Sequence, residues 1–317
     1  MPPFYDLASL AKPLVTAPLA LAFLDLDADR RWTLGFHDRE APLTVRQLLS
    51  HGSGLPPWRP FTGEAVASQL RRQVSGHPLL RPATPGLATY SDLNYRLLAE
   101  LLVAETGVPF AELGAASGLR PAPWADFPLA LPDGPDAIAW ALATDRPLPP
   151  RAPGLPHDAN ARAGMTGHAG FGATRADLAG ALARWVAAGW PARMAVETAE
   201  GEEGARWGLG LQVAFAGEGR FGQLLSHLPK GLGVRVIEAP ADDLPPPAPA
   251  TGPEPGPPSG WWYHLGYTGP ALFVRPSDGA CVAILAHRRG PGGGLLDAEA
   301  LRARRWQALQ AWIGSVA

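Results

Sequence analysis

The chain has 317 residues, 46% of them hydrophobic, and a formal net charge of −2. That is enough apolar residue for a large core, and no basic stretch is dense enough to suggest nucleic acid. A single cysteine, Cys281, excludes an intrachain disulfide and a multi-cysteine metal site, and the early apolar stretch 13–24 is too short and too proline-broken to span a bilayer.

Residues 5–8 read as an extended approach to a helix that starts near Ser9. Pro13 is tolerable so close to a helix N-terminus. Residues 43–49 read as a short helix with Thr44 as N-cap, ending at the turn cluster His51-Gly52-Ser53-Gly54. A stronger helix spans 92–106, with Leu97, Leu98, Leu101 and Leu102 at helical spacing and Gly107 as C-cap. Residues 114–154 are rich in Pro, Gly and Ala and read as irregular with short helices. Residues 175–189 form an amphipathic helix capped by Thr174. The period then changes to that of strands at 207–215, 231–238, 262–274 and 280–286, the last burying Cys281. Residues 240–260 read as a flexible Pro-rich surface loop, and 298–312 close the chain as a helix. The expected architecture is α+β in a single domain, 1–317. Residues 13–200 make a mostly helical lobe; 1–12 with 201–317 make a lobe of one antiparallel sheet and the C-terminal helix.

Three segments carry the chemistry. The first is Ser9-Leu10-Ala11-Lys12, in a chain with only two lysines, Lys12 and Lys230. A lysine three residues after a serine shares its helix face. An ammonium able to lose its proton can activate that hydroxyl; an always-charged arginine cannot. The second is Tyr90-Ser91-Asp92, on a loop just before a helix. The third is His264-Leu265-Gly266-Tyr267-Thr268-Gly269, at the start of a strand. His157, Asp158 and His168 include zinc-ligand types, but their separation fits no ligand pattern, and no metal is expected. His157, Asp158 and Asn160 read as hydrogen-bond partners of loops near the cleft, and His51 and Ser53 as stabilisers of a turn. Gly208-Leu209-Gly210 and the run 292–294 lack dinucleotide-binding spacing, and no cofactor is expected. Trp58, Trp261 and Trp262 either line an acyl pocket or pack the core.

In order and spacing, these segments resemble the serine β-lactamase and penicillin-binding-protein-like hydrolases. The resemblance is strongest to the class C β-lactamase-related group, with its esterases and D-aminopeptidases. That group is marked by Ser-x-x-Lys, a Tyr-x-Asn element, and a Lys-Thr-Gly or His-Thr-Gly strand; segments 48–56, 157–161 and 167–171 resemble it too. Ser91-Asp92-Leu93 departs from the Ser-Asp-Asn version at its third residue, and the tyrosine version fits better.

The resemblance implies a β-lactamase/DD-peptidase-like fold, an antiparallel sheet flanked by helices with a mostly helical lobe. It implies acyl transfer through an acyl-enzyme, on an ester, amide or β-lactam. Ser9 would be the acylated nucleophile and Lys12 its activating partner. Tyr90 would be a phenolic acid/base whose pKa the nearby ammonium lowers. The backbone N–H groups of Ser9 and Tyr267 would form the oxyanion hole, with His264, Leu265, Gly266 and Asp92 around the substrate.

Three departures accompany it. Asp92 stands where the group usually has Asn, which disfavours an anionic substrate. Leu265 replaces a hydroxyl that usually contacts a substrate carboxylate. The eight residues ahead of Ser9 cannot supply the helix and two strands that the group carries there, so either the start is truncated or misassigned or the sheet lacks those strands. Two functions follow: a serine hydrolase of an ester or amide, of β-lactamase-like, esterase or D-amino-acid peptidase type, with the two substitutions favouring a neutral substrate, or a catalytically impaired protein that binds a ligand or partner in the cleft. The expected partner is a small molecule, with no nucleic acid and no membrane span. With no signal peptide ahead of Ser9 the chain is expected to be cytoplasmic, or periplasmic or secreted if the reading frame extends upstream.

Overall fold

Ala280–Leu285 is buried at every position because its two faces meet different cores. Cys281, Ala283 and Leu285 pack into one apolar cluster, with Leu272, Val274 and Trp262. Ala280, Val282 and Ile284 pack into a second, with Phe273, Tyr263 and Leu309 of the C-terminal helix. A strand covered on both faces needs no polar alternation, which is why this stretch reads as a continuous apolar run.

The structure, a computed structural model, describes residues 2–36, 41–57, 87–124, 156–162, 164, 166–201, 205–215, 224–225, 228–239, 258–288 and 296–316. Among these residues the strands are β1 (Phe4–Asp6), β2 (Leu87–Ala88), β3 (Arg120–Pro121), β4 (Phe171–Thr174), β5 (Ala199–Gly201), β6 (Arg206–Trp207), β7 (Gln212–Phe215), β8 (Val234–Glu238), β9 (Pro258–Leu265), β10 (Ala271–Arg275) and β11 (Ala280–Leu285). They form an eight-stranded sheet in the order β2-β5-β6-β7-β9-β10-β11-β8 and a three-stranded sheet, β1-β4-β3.

The expectation of one antiparallel sheet is corrected here. β9, β10 and β11 do form an antiparallel meander, but β8 lies parallel to β11 and β2 parallel to β5. A parallel pair needs a crossover, and the chain between β8 and β11 supplies one by building β9 and β10 first. Ahead of Ser9 the described residues carry one short strand, β1, and it pairs with β4 in the small sheet.

Local signals place most helices. Thr44 and Gln47 close a reciprocal capping box on the helix Val45–Leu49, and Thr174 and Asp177 close another on Arg175–Ala187. The helix Asp92–Thr106 ends on Gly107 in the left-handed region, where the missing Cβ removes the penalty. The expected strand 207–215 is two strands around a turn, 262–274 is two strands around the turn 266–270, and the last helix runs Ala298–Val316. Of the expected loop 240–260, residues 240–257 lie outside the described residues, and 258–260 begin β9. Trp58, the run 292–294 and most of 114–154 also lie outside them. Trp261 and Trp262 both pack in cores, one on each face of β9. Among the described residues no helix is long and apolar enough to cross a membrane.

Candidate active site

Ser9 sits in a 3₁₀ turn, Ala8–Leu10, that passes directly into a π-helical turn, Lys12–Thr16. The expected single helix is corrected accordingly, and the change matters to the site. In 3₁₀ geometry residues i and i+3 eclipse, and Lys12 Nζ donates to Ser9 Oγ at 2.7 Å. Asp6 shapes the turn: its Oδ1 accepts the N–H of Ala8, and its Oδ2 accepts that of His157 and faces His157 Nδ1 at 3.0 Å. Ala8 has φ of 47°, a left-handed conformation costing about 1–2 kcal/mol in a residue with a Cβ. Strain of this kind persists only where the surroundings over-determine it. Ser9 is the second residue of the 3₁₀ turn, so its backbone N–H has no preceding helical carbonyl to meet.

Tyr90 arrives from the loop ahead of the helix Asp92–Thr106, and its hydroxyl donates to Ser9 Oγ at 3.0 Å. His51 holds that loop in place. Its Nδ1 accepts the N–H of Ser91 at 3.0 Å, and its ring lies 4.6 Å from that of Tyr90. His51 is itself left-handed, with φ of 60°. Ser53 hydrogen-bonds Asn94, and Ser91 Oγ donates to the carbonyl of Pro56. Thus His51 and Ser53 do stabilise a turn, and the turn they stabilise presents Tyr90.

The third wall is the end of β9 and the turn after it. His264 faces the cleft, with its ring 6.1 Å from Tyr90, while Leu265 is 41% exposed beside it. The turn that carries Tyr267 is tied down from two sides. Thr268 Oγ1 donates to the Asp6 carbonyl at 2.8 Å. Arg305 of the C-terminal helix, 5% exposed, donates to the carbonyls of Gly266, Gly269 and Pro270. The Tyr267 ring stacks on His157 at 5.5 Å and carries the Arg288 guanidinium 4.0 Å from its centroid.

Lys12 is fully buried, and that burial pulls its pKa down while Asp92 opposes the shift. Asp92 Oδ1 lies 2.7 Å from Nζ, and the His168 carbonyl accepts from Nζ at 3.1 Å. Tyr90 goes the other way from the expectation: burial and then the charge of Asp92 push its pKa well above 10. The lowered phenol pKa is therefore corrected. The anticipated ammonium is there, but burial and the Asp92 carboxylate beside it both raise the pKa, and together they outweigh the lowering by the Ser9 hydrogen bond. His264 is held at about 3 by burial and by the charge of Lys12, so its imidazole is neutral at pH 7. Asp92, Asp158 and His168 offer ligand atoms within 4.8 Å of one another. Lys12 Nζ, in contact with Asp92 and with the His168 backbone, is the cation this trio meets.

The beta-lactamase family profile matches residues 5–305. The chain belongs to the beta-lactamase family. A search of the curated proteins gave no match. Among solved structures, a D-amino acid amidase from Ochrobactrum anthropi SV3, complexed with L-phenylalanine amide, is similar at 16% identity and a TM-score of 0.56. The match covers 99% of this chain and 85% of that one. A class C beta-lactamase from Rhodobacter sphaeroides is similar at 16% identity and a TM-score of 0.56, over 98% and 86% of the two chains. SurE with D-Leu is similar at 20% identity and a TM-score of 0.51, over 87% of this chain. The chain spans 57% of the SurE length. Likeness at such identities carries the fold, the beta-lactamase fold, and not the chemistry.

Within this beta-lactamase-family chain the structure joins Lys12 to Ser9 and to Asp92, joins Tyr90 to Ser9, and sets the His264 ring beside Tyr90, with Leu265, Gly266 and Tyr267 following His264 along the chain. Sequence reasoning missed Asp6 and Arg305 and undervalued His51. His51 falls inside a motif segment and Asp6 three residues ahead of one, where a role was legible in kind. Arg305 sits in a helix that carried no signal for the site.

Proposed function

We propose that the protein is a serine hydrolase that forms an acyl-enzyme at Ser9 with a neutral ester or amide. The observation that carries this reading is that a single Oγ takes hydrogen bonds from both Lys12 and Tyr90. Their opposite pKa displacements divide the labour. Lys12, pulled down by burial, is the group able to act as a neutral amine and accept the Ser9 proton as Oγ attacks the carbonyl. Tyr90 stays a phenol and delivers a proton to the leaving alkoxide or amine. Water then attacks the acyl-enzyme along the reverse path. The N–H groups of Ser9 and Tyr267 receive the developing oxyanion. Asp92, the neutral His264 and the apolar Leu265 all disfavour a substrate carboxylate, which weighs against penicillin-type acids and for uncharged esters and amides. D-amino-acid amides likewise lack a carboxylate, and a D-amino acid amidase has a similar fold.

A second reading, a silent cleft that only binds, is favoured by one contact: the Lys12–Asp92 ion pair at 2.7 Å stabilises the ammonium, which is no base. Intact-mass spectrometry separates the two after incubation with a fluorophosphonate and with a p-nitrophenyl ester. Hydrolysis predicts a single adduct that disappears in Ser9→Ala. No adduct, together with no ester turnover, would sink the hydrolase and leave the binding protein.

A further inference from the structure

Asp158 is a buried carboxylate that takes no part in the steps at Ser9. It stands at the start of the short helix Ala159–Arg162, where Oδ1 accepts the N–H of Ala161 at 2.9 Å and the backbone carbonyl accepts that of Arg162. Capping of this kind is done equally well by serine or asparagine, so it does not by itself call for a buried charge, which is costly to take out of water. The same Oδ1 meets His168 Nε2 at 2.8 Å. An ionised carboxylate only accepts, so Nε2 carries the proton in this pair. His168 is 1% exposed, and its backbone carbonyl is the one that receives Lys12 Nζ at 3.1 Å.

The charge lies within reach of the nucleophile's partner. Ligand-capable atoms of Asp92, Asp158 and His168 fall within 4.8 Å of one another, and Asp92 is 2.7 Å from Nζ. In a buried site charges act on each other far more strongly than in water. Burial is the largest influence on Lys12 and pulls its pKa down; the Asp92 and then the Asp158 carboxylate oppose it. Tyr90 feels the same pair, burial raising its pKa first and both carboxylates adding to the rise. The other groups around Nζ carry no charge at pH 7. The Tyr90 and Tyr95 ring centroids lie 5.0 and 5.8 Å away, and both phenols are pushed up by burial. His51 and His264 are pushed down, by burial first and then by Lys12 itself. Asp158 is in turn faced by His168 and His157, and its charge also acts on Arg96.

We propose that Asp158 is a positioning residue for Lys12: through His168 it fixes the carbonyl that holds Nζ, and its carboxylate is the second negative charge, after Asp92, set against the amine. Its effect on turnover rests on the reading of Lys12 as the base, but its effect on the amine can be measured without turnover. The chain has only two lysines. Nuclear magnetic resonance of protein grown on isotope-labelled lysine therefore gives two side-chain signals, and exposed Lys230 is the internal reference. In Asp158→Asn the amide oxygen still accepts from Ala161 and His168, and only the charge is gone. Lys12 then loses its proton about 0.5 pH unit or more below the wild type while Lys230 stays in place. The acidic limb of kcat/KM for a p-nitrophenyl ester moves down with it. A merely structural role moves neither. Asp158→Ser also drops the charge and keeps a cap, so it replaces an asparagine variant that does not fold, and it shifts Lys12 in the same direction. A Lys12 signal that stays or rises in these variants would overturn the assignment. Absence of ester turnover and of a fluorophosphonate adduct counts against the hydrolase, and the Lys12 signal still decides the role of Asp158.

Discussion

His264 makes the fold acid-sensitive, and the size of the effect follows from its surroundings. It is 3% exposed; Nδ1 lies 3.2 Å from the Leu265 carbonyl, and Nε2 is buried with no partner. Protonating Nε2 would put a charge in that site next to Lys12, which is why its pKa is held at about 3 instead of 6.5. In the unfolded chain the imidazole takes up its proton near 6.5. Between those values the unfolded state binds the extra proton and the folded state does not. Stability is therefore fully present above 6.5 and falls as the pH drops toward 3. The slope is about 1.4 kcal/mol per pH unit for one proton, so two units below 6.5 accumulate about 3 kcal/mol. In His264→Gln that contribution vanishes. Urea unfolding followed by tryptophan fluorescence, at four pH values between 7.5 and 4.5, should show the variant's curve falling less steeply than the wild type's. The gap should widen by about 3 kcal/mol over the series. Parallel curves, or a His264 imidazole that titrates near 6.5 by NMR, would refute the reasoning.

Three further outcomes are expected. Asp92→Asn removes the carboxylate that opposes the lowering of the Lys12 pKa, so the acidic limb of kcat/KM for a p-nitrophenyl ester moves to lower pH; a limb that stays or rises contradicts Lys12 as the base. Tyr90→Phe keeps the ring contacts to His51 and Trp207 but loses the proton donor, and kcat for an alkyl amide falls by about 10²–10⁴, measured under saturating substrate. Gly269→Ala is strained twice, by φ of 130° and by a Cβ that overlaps the Ala286 carbonyl, and a loss of more than about 3 kcal/mol is expected in the same urea assay.

What was legible in the sequence was local or chemical. Thr44, Gly107 and Thr174 act on amides and carbonyls within four residues, so their roles can be read from neighbours alone. Ser9, Lys12, Tyr90 and His264 declare themselves by residue type and order. Sheet order was not legible, because β8 and β11 meet only after the chain has built the meander between them. The direction of the Tyr90 pKa failed for a related reason: motif spacing says which charges are near, and nothing about how much water is left. Arg305 was invisible because its helix reads only as the close of the chain; docking alone turns its guanidinium into the clamp on Gly266 and Pro270.

The Asp6 junction bears on how this chain matures. Its bonds to His157 and Thr268 close loops of 151 and 262 residues. Contacts of such separation form late, since their loop-closure entropy is met only once other structure has drawn the ends together. During synthesis Ser9 and Lys12 emerge first, yet the turn that shapes them waits for the last third of the sequence. The nascent chain therefore carries its hydroxyl and its amine unassembled until the final helix docks. A ribosome-bound chain ending before Thr268 should take no label from a fluorophosphonate that labels the finished protein.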